Sequence, residues 1–517
     1  MKSKRLFKLS AIFLGIFLIG ILEFQYIYSY INTPSGKVFL GTIHYPPDYF
    51  NYLTNIIQGE KNFLKSTVLY TQEEIPENYL RWPFVLMGKV HKLTGISVAQ
   101  TYNLATVFFL ATLLWATWIF LKQIFPENPG KQLLAFLFFT TSTAWPGYTH
   151  WYNTGDLFIR FSKTPHHLLS NTLLIVSFIF LINTKAKFRL PFLIILGFLT
   201  ASLSPTHYFM TGGAAFFAQV FLNFVLKKRL NLFPFLPCFA FIAGGIPSSI
   251  YIYLLHKTEP YNAVAIWEKS QQLKMSLKAI FLGSGLISVF AGLGLYPLFI
   301  KRNFRNYFAL SFIIFSLIFC FLPIPIKLGM SNARFWPQTL YIFFAIAGVK
   351  GIYIILTLFK RYKEQVLTTL LFIYILTIIP SIHSGLLLQM NDKSNNSFFY
   401  IGKDAFETYE YVHENISAEG IFLMPWVLNE SFPAFTGKRV YYGDSVSHLT
   451  INADEKMKNA FLFLDGKMGG EETKTFFDKG KIKYVLDFHN ALHEKNPLLK
   501  KIYTNGNMDL YEVEARI

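Results

Sequence analysis

Long apolar runs alternate with short basic turns over the first three quarters of the chain. The first run follows a basic start (Lys2, Lys4, Arg5, Lys8) and extends to about residue 31. Further runs lie near 98–121, 131–148, 167–184, 190–204, 208–226, 232–255, 276–300, 306–324, 336–357 and 364–386. A helix needs about 20 apolar residues to cross a bilayer, so the pattern predicts eleven transmembrane helices. No small-residue cleavage site follows the first run, which therefore reads as a retained anchor. The 190–226 stretch fits the pattern least well. Its first member is short, and Ser204-Pro205-Thr206-His207 interrupts it; a span plus a re-entrant or tilted piece is the other arrangement open to it.

The turns give an orientation. With a cytoplasmic N-terminus, the cytoplasmic turns hold Lys122 and Lys131; Lys185, Lys187 and Arg189; Lys227, Lys228 and Arg229; Lys301, Arg302 and Arg305; and Lys360, Arg361 and Lys363. The opposite turns, 32–97, 149–166, 204–208, 256–275 and 325–335, are longer on average and mixed in charge. Because cytoplasmic loops collect Lys and Arg, this places the long loop 32–97 and the C-terminus outside the cell membrane.

Composition excludes the soluble multidomain protein that 517 residues would otherwise suggest. Apolar residues make up 52% of the chain and charged residues 15%, too little charge to cover a soluble surface of this size. The 56 Phe and 29 Tyr suit lipid-facing and interfacial positions. The net charge of +18 is divided unevenly. Residues 1–392 carry 33 Lys and Arg against 12 Asp and Glu, a net of +21; residues 393–517 carry 15 against 18, a net of −3. The basic excess thus belongs to the membrane loops and forms no nucleic-acid surface. Cys238 and Cys320 lie in separate apolar runs, with neither zinc nor redox spacing.

From about residue 391 the pattern changes to that of a small α/β domain. Helices are predicted at 402–416, 453–464 and 471–479, and strands at 420–424, 439–442 and 482–487. A hairpin is predicted from 498–503 and 508–513 around Asn505-Gly506. The domains are then a membrane domain, 1–390, and an extracytoplasmic domain, 391–517. Within the first loop, 79–93 reads as an amphipathic helix with Leu80, Phe84, Met87 and Leu93 near one face. It suits the membrane interface or packing on the bundle equally.

Few residues of the membrane part could carry chemistry. Glu23 lies near the outer end of the first span, where snorkelling to water accounts for it. Asp48, in His44-Tyr45-Pro46-Pro47-Asp48-Tyr49, and Asp156, in Asn153-Thr154-Gly155-Asp156, fall in successive outer loops. A carboxylate there can take a proton from a hydroxyl or hold a divalent cation; it can also simply cap a helix. Arg160, Lys163, His166 and His167 follow Asp156, and His207 and Arg334 lie in later outer loops. Such cations suit a lipid phosphate or pyrophosphate, and equally anionic headgroups. Adjacent helical His166 and His167 point about 100° apart and form no metal motif.

A first span, a long outer loop with an early Asp and a second outer loop with another Asp together resemble the GT-C superfamily of membrane glycosyltransferases. That superfamily includes protein O-mannosyltransferases, lipid A aminoarabinose transferases and oligosaccharyltransferase catalytic subunits. His44-Tyr45-Pro46-Pro47-Asp48-Tyr49, Arg81-Trp82-Pro83, Phe435-Thr436-Gly437-Lys438-Arg439-Val440-Tyr441-Tyr442-Gly443-Asp444 and Ile482-Lys483-Tyr484-Val485 are similar to a bacterial branch of it. The resemblance implies a mainly α, polytopic GT-C bundle. Its substrates would be a sugar donor on polyprenyl phosphate or pyrophosphate and an extracytoplasmic glycan, lipid or protein acceptor. It implies Asp48 as the base that activates the acceptor, and Asp156 as the second-loop acid that in some branches helps bind a metal. Arg160, Lys163, His166, His207 and Arg334 would then stabilise the departing phosphate. Asp48 and Asp156 would also be the ligands of any divalent cation, magnesium or manganese. The chain departs from the family pattern in two ways: Asp48 has no adjacent acid, and Asp156 lacks a DxD partner because residue 154 is Thr. It also lacks the WWDYG motif of oligosaccharyltransferases. A lipid or polysaccharide transporter is the rival class, but the charged groups gather at the outer ends and no repeated halves appear. A non-catalytic assembly protein of the same fold is the third.

Overall fold

The computed structural model describes residues 2–514 apart from 43–44, 149–153, 162–163, 184–187, 227–231, 391–392, 417–419, 444–447 and 490. The chain is mainly helical and polytopic. Each of the eleven apolar runs carries helix. Among the described residues, eight helices are long and apolar enough to cross a membrane, or nine if a bent pair counts as one span.

The shortfall from eleven has local causes. Helix Pro129–Thr141 is 13 residues long, about 20 Å, and stops at Ser142, which leaves the helical conformation. Helix Arg189–Leu203 has 15 residues. Ser204 ends it and caps the next helix, Pro205–Val225, whose first residue is the proline that interrupts the pattern. The run 276–300 is broken into Leu277–Ser284 and Ile287–Ile300, bent by 113°. Gly285 at the break has φ +66° and lies so close to Thr143 that a Cβ would meet its carbonyl oxygen at 2.2 Å. A sharp bend thus falls at 285, where the sequence pattern gave no sign of one, in addition to the interruption at Ser204 within the 190–226 stretch.

The chain packs as two compact units. The first comprises 1–24, 106–255 and 265–389; the second comprises 25–105, 256–264 and 390–517. In the first, Phe178 packs among Phe120, Phe308, Phe312 and Phe343 at centroid distances of 5.2–5.7 Å. Its helices also approach through glycine. A Cβ on Gly294 would lie 1.8 Å from the Ala347 carbonyl oxygen, and one on Gly351 would lie 2.1 Å from that of Phe290. Such contacts are a common way for apolar helices to associate where lipid offers no hydrophobic driving force. On the outside, Phe13, Ile16, Phe17, Trp115, Phe224 and Phe372 are among many large apolar side chains left exposed, as a lipid-facing surface requires.

The second unit contains two sheets. Strands β1 (Lys37–Phe39) and β2 (Tyr400–Gly402) pair antiparallel, Val38 opposite Ile401. The larger sheet holds β3 (Ile421–Leu423), β4 (Arg439–Val440), β5 (Ile482–Phe488), β6 (Leu499–Asn505) and β7 (Met508–Val513), in the order β4-β3-β5-β7-β6. The first three strands run parallel and the β6–β7 hairpin adds antiparallel to β5. The hairpin turns at Gly506-Asn507, Asn505 pairing with Met508. Gly506 sits at φ +55° with Asp404 against it, a position only glycine fills without strain. Helix Trp82–Thr94 packs Phe84, Val85 and Met87 inward and leaves Val90 and Leu93 exposed.

The glycine crossing gives a direct test. Gly294→Ala should lower the melting temperature of the detergent-solubilised protein, since overpacking of this kind costs about 1–3 kcal/mol. Gly292→Ala on the same helix, where a Cβ meets nothing within 4 Å, should leave it nearly unchanged. Equal melting temperatures for the two variants would contradict the packing described.

Candidate functional site

Asp48 stands in the first turn of helix Pro46–Gln58. Two prolines open the helix, so the missing N–H groups cost nothing there, and the carboxylate complements the positive end of the helix dipole. Tyr45, just before the helix, is left-handed at φ 48°. Burial first, and then the Asp48 charge, push its phenol up. Tyr102 also lies within electrostatic reach of Asp48. The chain leading to the helix is pinned: Tyr49 Oη donates to the Leu40 carbonyl at 2.9 Å, and Asn103 donates to that of Gly41 at 3.0 Å. His44 lies outside the described residues.

The rest of that helix is held from three sides. A Cβ on Gly59 would lie 2.2 Å from the Val85 carbonyl oxygen and one on Gly88 2.1 Å from that of Ile56, so helix Trp82–Thr94 crosses at near backbone contact. Gln58 takes both backbone groups of Thr67, at 3.0 and 2.9 Å. Tyr52 stacks on Phe84 at 4.5 Å and 4°, and the Arg81 guanidinium lies 5.0 Å over the Tyr52 ring. Asp48 and Tyr52 are four residues apart and share a helix face. A cation therefore stands on the Asp48 side of the helix. The sequence offered Arg81 only as part of a motif. An Arg just before Trp-Pro, at the start of an amphipathic helix, was the available signal.

The remaining candidates lie in the first unit. Asp156 caps helix Leu157–Arg160, its Oδ1 accepting from the N–H groups of Phe158 at 2.8 Å and Ile159 at 3.2 Å. Burial raises its pKa, against the opposing pull of those two donors and of Arg160. Its second oxygen makes no hydrogen bond among the described residues. Arg160 is 1% exposed. It donates to the carbonyls of Gly155 (3.0 Å), Thr154 (3.4 Å) and Ser142, and lies 4.8 Å over the Tyr341 ring. Burial pulls its pKa down to about 10, so it stays charged at neutral pH. Its Nε has no hydrogen-bond partner among the described residues. Lys163 lies outside the described residues.

His166 and His207 both occupy the first turn of a helix that begins with proline, Pro165–Ile182 and Pro205–Val225, and both are buried. The His166 and His167 rings lie 4.2 Å apart. Arg334 is in the short 3-10 helix Asn332–Phe335 and forms a two-pronged ion pair with Glu268, Nε to Oε2 at 3.1 Å. Sequence reading missed Glu268, which stands on the separate helix Tyr261–Ser270. Arg334 and His207 are within electrostatic reach of each other. Thr154 donates to the Trp336 carbonyl at 3.0 Å and Asn171 to Gln338 at 3.1 Å. The structure therefore ties the Asp156 loop, the Arg334 loop and the His166 helix together. In the same elements, Ser170 Oγ, Asn171 Oδ1, His207 Nδ1, Thr211 Oγ1 and Thr339 Oγ1 are buried with no hydrogen-bond partner among the described residues. Buried polar groups in this state call for a partner. Both helix starts present backbone N–H groups at the positive end of a helix dipole.

Asp48 belongs to the second unit and Asp156 to the first. The group that best resembles a metal site among the described residues is a different one: His489, Glu494 and Asp509, with ligand atoms within 4.8 Å of one another. Lys501 already pairs with Glu494 at 2.5 Å and with Asp509 at 3.3 Å, so the carboxylates have a cation of their own.

No protein-family model matches the sequence, and no curated protein matches it. Solved structures do match. The archaeal oligosaccharyltransferase AglB from Archaeoglobus fulgidus, in complex with an inhibitory peptide and a dolichol-phosphate, aligns with TM-score 0.53 and 11% identity over 92% of this chain and 69% of its own. ArnT from Cupriavidus metallidurans, bound to undecaprenyl phosphate, aligns with TM-score 0.51 and 11% identity over 98% of both chains. At these identities the likeness is one of fold.

The Asp48 scaffold gives a test in pH. The His91 Nε2 is 2.8 Å from Glu60, joining the ends of the two helices that cross at Gly59 and Gly88. The hydrogen bond to His91 lowers the Glu60 pKa, and the hydrogen bond to Glu60 raises that of His91. The glutamate's contribution is present above its ordinary pKa and lost as pH falls through the lowered one. The histidine's contribution is present below its ordinary pKa and lost as pH rises through the raised one. The pair therefore stabilises most between about pH 4.5 and 6.5. His91→Gln should flatten the pH dependence of the melting temperature above about pH 6; an unchanged profile would show that the pair is not coupled to folding.

Proposed function

Starting from the GT-C fold, we propose that this protein is a membrane glycosyltransferase. It moves a sugar from a polyprenyl phosphate or pyrophosphate carrier to a hydroxyl acceptor outside the cytoplasm. The observation that supports this reading is the set of polar atoms of Ser170, Asn171, His207, Thr211 and Thr339 that are buried without a hydrogen-bond partner among the described residues, four of them near the starts of two helices, in a fold shared with solved structures that hold lipid phosphates.

In this reading Asp48 takes the acceptor proton, the acceptor oxygen attacks the anomeric carbon, and the carrier phosphate leaves with inversion. Charge accumulates on the departing phosphate. His166 and His207 meet it there as hydrogen-bond donors and Arg334 as a positive group, with Lys163 on the same stretch of chain. Arg160 acts from further back, its charge intact but two of its nitrogens given to the backbone. Glu268 holds the Arg334 guanidinium in one orientation and moderates its charge. A magnesium or manganese ion is compatible with the second oxygen of Asp156, and would supply further positive charge to the carrier phosphate. The N-terminus is cytoplasmic in this reading, and the C-terminal region lies outside.

The transporter alternative has less support. The charged candidates sit at helix starts and in loops.

Asp48→Asn is the test. Loss of a general base typically costs ~10²–10⁴ in rate. The variant should insert and melt as the parent does but fail to restore surface glycan to a strain that lacks the protein. Full restoration by Asp48→Asn would rule out the assigned base.

A further inference from the structure

The second unit contains a cleft that the transfer chemistry does not use. It has a volume of about 260 Å³ and opens between the β1–β2 pair, the start of helix Lys403–Asn415 and the β6–β7 turn. None of its lining residues belongs to the helix of Asp48. We propose that this cleft binds one neutral sugar residue of a glycan.

Its size admits a single ring. The volume falls just under the ~300–1,000 Å³ of ordinary small-molecule sites. Its charge is balanced. Lys37 lines one part and Asp404 another, so a phosphate would meet the carboxylate and an amine would meet the ammonium. A neutral ligand meets a favourable partner at both. Lys37 Nζ already donates to the Ser394 carbonyl at 2.6 Å, which fixes it while leaving further N–H donors. The Asp404 Oδ2 accepts the Asn507 N–H at 3.3 Å, a long contact that leaves most of its accepting capacity unused.

Of the other polar lining, the Tyr400 hydroxyl is committed to the Ser29 carbonyl at 3.1 Å. The side chains of Asn395, Ser397 and Asn507 line the cleft and make no hydrogen bond among the described residues. Carboxamides and hydroxyls that both donate and accept match the hydroxyls of a pyranose, each of which does the same. Phe488 also lines the cleft and is 44% exposed. An exposed ring beside hydrogen-bonding groups offers an apolar face to the C–H side of a sugar, with the negative ring face meeting the slightly positive C–H hydrogens. Polar groups arranged around one such apolar face distinguish a polyol from a fully apolar ligand.

The proposal concerns binding alone and is independent of the transfer reading. The test uses the full-length protein in a detergent without a sugar headgroup, because a glycosidic detergent would compete. Saturation-transfer NMR is recorded with glucose, galactose, mannose and N-acetylglucosamine, followed by inorganic phosphate as a competitor. At least one sugar should bind saturably, with Kd on the order of 1 mM. Phe488→Ala should weaken it about fivefold, the effect expected from loss of one ring contact. Asp404→Asn, which keeps the shape, should weaken it too, and phosphate should not displace it. Unaltered melting temperatures would show that both variants are folded. The proposal is overturned if none of the four sugars saturates, if both folded variants bind as the parent does, or if phosphate competes. Loss of sugar binding in these variants would leave the outcome for Asp48→Asn untouched, so the two readings fail separately.

Discussion

A guanidinium buried to 1% exposure must be surrounded by oxygen, and much of the first unit's candidate region follows from meeting that need for Arg160. The oxygens come from the backbone: Ser142 at the end of one helix, and Thr154 and Gly155 in the loop before another. For Ser142 to offer its carbonyl, helix Pro129–Thr141 stops there instead of running on across the bilayer. For Gly155 to approach, it carries no side chain; a Cβ would sit 1.6 Å from the Gly283 carbonyl oxygen. Thr154 then reaches the Trp336 carbonyl, and Trp336 Nε1 donates to the Tyr341 hydroxyl at 3.0 Å. The buried cation thereby organises the loops that present Asp156 and Arg334.

In the second unit the corresponding constraint is backbone proximity. Gly59 and Gly88 let two helices touch, and with that contact come the Tyr52–Phe84 stack and the Arg81 guanidinium beside it. Lys456, 4% exposed, is met by Glu73 at 2.6 and 2.8 Å and by Thr71 at 2.9 Å. This ties the long first loop to a C-terminal helix. The loop is therefore part of a folded unit with the C-terminal region.

Much of the fold was legible in the sequence, because lipid demands long apolar helices and every such run did become helix. The tail was legible for a related reason: alternating strands and an Asn-Gly turn are local signals, and the hairpin falls within a residue of its expected place. The number of spans was less so. Three of the runs end or bend at Ser142, Ser204 and Gly285, through contacts with distant carbonyls and caps that no hydropathy window contains. The β1–β2 pair joins positions more than 350 residues apart and left no local trace. The site was only partly legible. Residue type marked Asp48, Asp156 and the basic residues, but not which hydrogen-bonding groups were already engaged: the Arg160 donors by carbonyls, Arg334 by Glu268, and an Asp156 oxygen by the N–H groups of its own helix. Those commitments are set by tertiary contacts.

Consumption of a carrier-linked sugar, the proposed reaction, can be read by mass spectrometry of polyprenyl-phosphate lipids from cells with and without the protein. A sugar-bearing polyprenyl phosphate or pyrophosphate should accumulate when the protein is absent and return to its ordinary level when the protein is restored. An unchanged pool of such lipids, alongside an altered distribution of lipid or polysaccharide across the membrane, would contradict it in favour of transport.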